Sequence, residues 1–204
     1  MLELEESIAE EINQSAAVKK ELAREGTPNI AKAAIHIIDG LRAGHKVLAV
    51  GNGGSAADAQ HFVAELVGRY LIERKGLKAV ALTTNTSALT AVGNDYGFDE
   101  IFARQIEAIG EAGDVVVAIS TSGDSANILR GVEFARNAGM TTIGLTGRTG
   151  GRLRELVDVC VSVPSDLTPR IQEAHILIIH ILCGIVEKAF LSSPTTLTNA
   201  VPLT

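Results

Sequence analysis

Aromatic side chains are almost missing from this chain of 204 residues: they make up 3% of it, and Trp is absent. Platforms on which bases or sugar rings could stack are therefore not expected. Cysteine is equally scarce. Cys160 and Cys183 lie inside apolar runs, where the expectation is two reduced, buried thiols rather than a disulfide or a nucleophile. No cluster of lysines and arginines occurs, and the net charge of -6 argues against a nucleic-acid surface. The most apolar stretch, HILIIHILCGIVEKAFL, is broken by two histidines and a glycine, so no membrane span of ~20 residues is expected. The opening MLELEESIAEE is acidic and amphipathic, unlike a signal peptide, which makes the cytoplasm the expected location.

What is present is ordinary for a folded protein: 46% hydrophobic and 21% charged residues, enough for one domain with a full core. Residues 3–25 place Leu4, Ile8, Ile12, Val18 and Leu22 on one helical stripe. Gly26-Thr27-Pro28 ends that helix and opens a second, running to about Arg42 with Ile30, Ala34, Ile37, Ile38 and Leu41 inward. These two helices define a segment, 1–44, whose stripes are expected to pack on another subunit. From 45 to 195 strand and helix alternate. Apolar runs at 46–50, 78–82, 114–119, 141–145 and 157–163 read as buried parallel strands. Helices are expected at about 54–69, 86–93, 99–109, 125–138 and 168–190. The fold class is α/β, a five-stranded parallel sheet sandwiched by helices, with ligands outside the carboxyl ends of the strands.

Three of those ends are polar. Gly51-Asn52-Gly53-Gly54-Ser55 follows the first strand, Gly93-Asn94-Asp95 follows the second and its helix, and Ser120-Thr121-Ser122-Gly123-Asp124-Ser125 follows the third. All three are expected on the same edge, the 93–95 segment by folding back. The serine loop offers hydroxyls and free helix-start amides that can surround a phosphate without a lysine. Helix capping needs only one such residue. The glycine loop lacks the last glycine of G-x-G-x-x-G, and the second strand ends Leu82-Thr83-Thr84-Asn85 without a ribose-binding acid. Both absences argue against nicotinamide or flavin. No P-loop lysine is present to hold ATP. His61 and Glu65 are neighbours on one helical face, a pairing that in isolation is usually a surface interaction. In the last helix His180 stands among isoleucines and leucines; His175 reads as a core residue, and His36 and His45 as structural or exposed.

The segments GNGGSAADAQHFVAEL, AVGNDYGF, AISTSGDSANI and TPRIQEAHILIIH together closely resemble the phosphoheptose isomerases of the sugar-isomerase (SIS) domain superfamily. The resemblance covers nearly the whole chain. STSG alone marks only the SIS fold; its combination with His61, Glu65, Gln172 and His180 is more specific. It implies a flavodoxin-like sheet and a homotetramer with active sites at subunit interfaces. The implied reaction interconverts sedoheptulose 7-phosphate and D-glycero-D-manno-heptose 7-phosphate, on the way to the ADP-heptose of lipopolysaccharide core. By residue match, Ser120, Thr121, Ser122 and Ser125 hold the phosphate with Ser55. Asn52, Gly53, Gly54, Asn94 and Asp95 contact the sugar, with Arg69, Thr168 and Gln172 as further contacts. Glu65 and His180 form the acid/base pair, and zinc is bound through His61, Glu65, Gln172 and His180.

Moving a carbonyl between adjacent carbons takes a proton from one and returns it to the other through an enediol, work suited to a carboxylate and an imidazole. Zinc would polarise the carbonyl. Two points stand against the implied ligand set. A zinc-bound carboxylate is a poorer base, and Gln172 and His180 are eight residues apart, ~12 Å along a straight helix. Two rival readings remain: a non-enzymatic SIS relative that binds the replication initiator DnaA, against which the retained Glu65 and His180 count, and an isomerase of an amino-sugar or pentose phosphate.

Overall fold

The computed structural model describes residues 1–191, so the domain end expected at 195 lies outside the described residues. Two helices lead, α1 (Leu2–Glu25) and α2 (Thr27–Arg42), with Pro28 in the first turn of α2. Then come β1 (Val47–Gly51), α3 (Gly54–Val67), β2 (Ala79–Ala81), α4 (Thr86–Asp95) and α5 (Ala103–Ile109). The chain continues through β3 (Val115–Ser120), α6 (Ala126–Asn137), β4 (Thr141–Thr146), α7 (Leu153–Leu156), β5 (Val159–Ser162) and α8 (Thr168–Leu191). All five strands are parallel, in the order β2-β1-β3-β4-β5.

Strands β1 and β3 are buried at every position because both faces are covered. In β3, Val115, Val117 and Ile119 enter one core with α2, α3 and α8. Val116 and Ala118 enter the other, with α5, α6 and Leu153 of α7. Burying each such side chain contributes about 1.5–3 kcal/mol relative to exposure. The consequence for the site is that α3 and α8 share one face of the sheet.

Several expectations are corrected in detail. The single helix expected over 99–109 is a 3-10 turn at Phe98–Glu100 followed by α5, with buried Ile101 and Phe102 turning inward at the joint. The short helix α7 was not anticipated. Among the described residues α8 is the one helix long and apolar enough to cross a membrane, contrary to the reading of its interrupting histidines. Its apolar side chains Ile171, Ile178, Ile179, Leu182 and Val186 already lie in the protein core. Of the thiols, Cys183 is buried, and burial pushes it up to about 12. Cys160 is only half-buried, contrary to expectation, and both are free. On α1, Leu22 is buried, whereas Leu4, Ile8 and Ile12 remain 64%, 52% and 64% exposed. The outer stripe thus has no cover within the subunit.

His175 is the core residue its surroundings suggested. It is fully buried, with Nε2 3.1 Å from the Thr146 carbonyl oxygen. Burial lowers its pKa from 6.5 to about 4, partly opposed by that hydrogen bond. Between those values the unfolded chain takes up a proton at His175 that the folded chain refuses. Folding stability should therefore fall as pH drops from 6.5 to about 4, by on the order of 3 kcal/mol at ~1.4 kcal/mol per unit. Urea titrations across this window should show the loss in the native chain and a flatter profile in His175→Asn. Parallel profiles would remove His175 as its source.

Candidate functional site

The strand order reverses between β1 and β3, and the crevice at such a switch point is where open α/β sheets take ligands. The register pairs Gly51 with Ile119, so the loops after β1 and β3 leave the sheet side by side. Gly51 cannot carry a side chain because its Cβ would strike the Ser55 backbone. Gly53, with φ +54, adopts a conformation that favours glycine and turns the chain into α3. The two loops are tied by a reciprocal amide pair. Asn52 Nδ2 donates to Asn127 Oδ1 at 2.8 Å, and Asn127 Nδ2 donates to Asn52 Oδ1 at 2.9 Å.

The serine loop curls into a cradle. Ser120 Oγ accepts the Gly123 N–H at 3.1 Å and lies 3.3 Å from Ser125 Oγ; Ser122 Oγ accepts the Asp124 N–H at 3.2 Å. Gly123, at φ +72, presses on Gly150 so closely that no Cβ fits. Ser125 occupies the N-cap of α6 but makes no side-chain capping bond, so its hydroxyl is not spent on the helix. Asp124, the one carboxylate of the loop, is held by Arg152. The Arg152 backbone N–H and then its guanidinium keep the Asp124 carboxyl below the usual carboxylate range. Hydroxyls and first-turn amides are thus gathered at the start of α6, a donor set that can hold a dianion without a dedicated cation.

A second cluster forms where α3 packs on α8. His61 Nε2 lies 2.9 Å from His180 Nε2 and 3.5 Å from Glu65 Oε1. Two ring nitrogens that close require one N–H and one lone pair, so at least one imidazole is neutral. The His61 and Glu65 side chains are 42% and 20% exposed, within reach of a ligand. One turn before His61, Asp58 has its carboxyl raised by burial, against the opposing pull of His61, and its Oδ2 has no partner. Gln172 lies against Gly54: a Cβ there would stand 2.5 Å from the Gln172 amide nitrogen. The α8 residues Gln172 and His180 therefore meet α3 at Gly54 and His61, and the two helices run alongside in the same direction.

Donor atoms bound to a tetrahedral zinc at ~2.0–2.1 Å sit about 3.3 Å from one another. The separations of 2.9 Å and 3.5 Å bracket that spacing, and the donor types suit zinc. No group of three His, Cys, Asp or Glu forms a finished metal cage among the described residues. The fit is thus one of donor chemistry and pairwise spacing.

The remaining expected residues are spread more widely. Ser55 is buried at the start of α3, and Thr121 joins the serine loop to Gly147 through its carbonyl. Arg69 is exposed and faces Glu73 at 3.6 Å. Asn94 and Asp95 close the far end of α4, exposed and hydrogen-bonded to each other at 2.7 Å. Thr168 is exposed at the first turn of α8. Three surface grooves of about 290, 420 and 420 Å³ are lined by other residues. Sequence reasoning missed Asn127, Tyr70 and the Arg74–Glu187 pair. Asn127 could have been found as a second amide beside the serine loop, and Glu187 as the lone acid in the apolar part of α8.

An SIS domain family model matches residues 12–147. The phosphoheptose isomerase of Geobacter metallireducens is 55% identical over 185 residues, covering 91% of this chain and 98% of that protein. That of Rhodospirillum rubrum is 61% identical over 165 residues, 81% of this chain and 88% of the relative. The solved structure of a phosphoheptose isomerase from Neisseria gonorrhoeae superposes with a TM-score of 0.86 at 47% identity, covering 91% and 99% of the two chains. One from Francisella tularensis gives 0.87 at 44% identity, covering 90% and 97%.

The serine cradle predicts a specific loss. Ser120→Ala with Ser125→Ala removes two donors to a bound dianion, each worth about 1.5–3 kcal/mol. Inorganic phosphate measured by calorimetry should bind at least tenfold more weakly to the double variant. Unchanged affinity would place the anion elsewhere.

Proposed function

The chain belongs to the SIS-domain family and is a sugar-phosphate isomerase, and from that footing we propose that it interconverts sedoheptulose 7-phosphate and D-glycero-D-manno-heptose 7-phosphate. The phosphate rests on Ser120, Thr121, Ser122 and Ser125, with Ser55 beneath. Asn52, Gly53 and Gly54 line the sugar, and Gln172, Thr168, Arg69, Asn94 and Asp95 complete its surroundings. His61 stands seven residues into α3 from Gly54, ~10.5 Å along the axis, so a sugar anchored in the cradle and laid along the helix brings its carbonyl end to the histidine pair.

The observation that supports this reading best is the meeting of His180 with His61 beside Glu65. Glu65 takes the proton from the carbon next to the carbonyl, and His180 moves the hydroxyl proton that accompanies the shift of the double bond. His61, Glu65 and His180, with Gln172 drawn in, would hold a zinc ion, which would polarise the carbonyl oxygen and stabilise the enediolate. An ion held there would lower the basicity of the Glu65 carboxylate.

The bare stripe on α1 favours a homotetramer, in which sites would close between subunits. The heptose product suits supply of ADP-heptose for lipopolysaccharide core in the cytoplasm.

Chromatographic assay with sedoheptulose 7-phosphate tests the chemistry. The native chain should form the aldose, and Glu65→Gln should slow turnover by about 10²–10⁴-fold, the usual worth of a positioned base. Turnover of an amino-sugar or pentose phosphate in preference to the heptulose would favour the other isomerase class. For the assembly, Leu4→Ser, Ile8→Ser and Ile12→Ser together should lower the sedimentation coefficient while the melting of the subunit core persists. A triple variant that sediments like the native chain would leave the stripe to solvent.

A further inference from the structure

Tyr70 is one of only two tyrosines in the chain, and its ring lies over His180 with centroids 5.6 Å apart and planes 27° from parallel. That offset geometry is a favourable one for two aromatic rings. Tyr70 stands on the segment between α3 and β2, a stretch with no regular structure to fix it. What fixes it is a carboxylate. Glu187, buried in α8, accepts three successive backbone N–H groups: Tyr70 and Leu71 at 2.9 Å and Ile72 at 3.0 Å.

Arg74 closes the same knot. Its Nε lies 3.6 Å from Glu187 Oε1, and both side chains are almost wholly buried. Its guanidinium also donates to the carbonyls of Glu65 at 2.7 Å and Leu66 at 2.9 Å, the last turn of α3. Burial alone would raise the Glu187 carboxyl; the amides of Leu71, Tyr70 and Ile72 and the charge of Arg74 outweigh it and hold the group below its usual value. Between the anchor and the imidazole lies Gly184, where a Cβ would touch Tyr70 Cε1 at 3.4 Å. His180, Gly184 and Glu187 fall on one stripe of α8, at steps of four and three residues. The segment crosses that stripe, pinned at one end and stacked at the other.

We propose that Tyr70 is a positioning residue for His180, held over the imidazole by the Glu187–Arg74 anchor so that the ring keeps its orientation toward His61. The proposal rests on the isomerase reading for its kinetic consequence, though not for the geometry. A flexible imidazole would visit other rotamers, and each visit would cost turnover without loosening the hold on phosphate. The aromatic face does this work, so a phenylalanine suffices and an aliphatic side chain does not.

The test uses the full-length protein and two substitutions. Tyr70→Leu should lower kcat for the heptulose phosphate at least tenfold, about 1.4 kcal/mol, with KM within threefold of native. Tyr70→Phe should recover kcat to within threefold. A raised KM at native kcat, or equal defects in both variants, would overturn the proposal. A structural readout stands apart from activity: in protein labelled at histidine Cε1, the His180 signal, assigned by its loss in His180→Gln, should show cross-relaxation with the Tyr70 ring protons. Its absence in the native protein would sink the stack whatever the variants do. Should the native chain turn over no heptulose, the isomerase reading fails while this signal still decides the positioning.

Discussion

The meeting of His61 with His180 depends on two helices lying side by side on one face of the sheet. His61 and His180 are 119 residues apart in the chain, yet their ring nitrogens approach to 2.9 Å because α3 and α8 pack along a common seam. Glycines set the spacing of what lies on that seam. Gly54 leaves the room that the Gln172 amide occupies, and Gly184 leaves the room over which Tyr70 lies. At both positions a missing side chain admits a polar or aromatic neighbour.

The other end of the site works by a different economy. The serine cradle contains one charge of its own, Asp124, and Arg152 neutralises it. What remains is a set of hydroxyls and amides fixed by backbone geometry, tied to the neighbouring loop through the Asn52–Asn127 pair. Recognition by many directed hydrogen bonds depends on shape, and a neutral donor set discriminates a tetrahedral dianion from a planar carboxylate better than a mobile cation would. His61, Glu65 and His180 stand on the helices, apart from these loops.

The architecture was legible in the sequence because parallel strands covered on both faces leave apolar runs such as Val115–Ile119, and the turns between them are marked by glycine. The cradle was legible for a related reason: its donors are contiguous. Less was visible of what depends on long-range contact. Nothing local in Glu-Leu-Val-Gly-Arg-Tyr says that a carboxylate more than a hundred residues later will receive its amides. The split of the helix over 99–109 depends on how Ile101 and Phe102 meet the core, a tertiary matter. The two histidines of α8 illustrate the same limit. Only the surroundings distinguish His175, sealed against the Thr146 carbonyl, from His180, which reaches the seam.

Helix α8 carries Gln172, His175, His180, Gly184 and Glu187 in a single uninterrupted run. One residue inserted within that run would rotate everything after it by about 100° about the helix axis. Unless a π-bulge absorbed the extra residue, the side chains beyond it would leave their partners together. The contacts of this rod with α3 and with the segment after it therefore share one register.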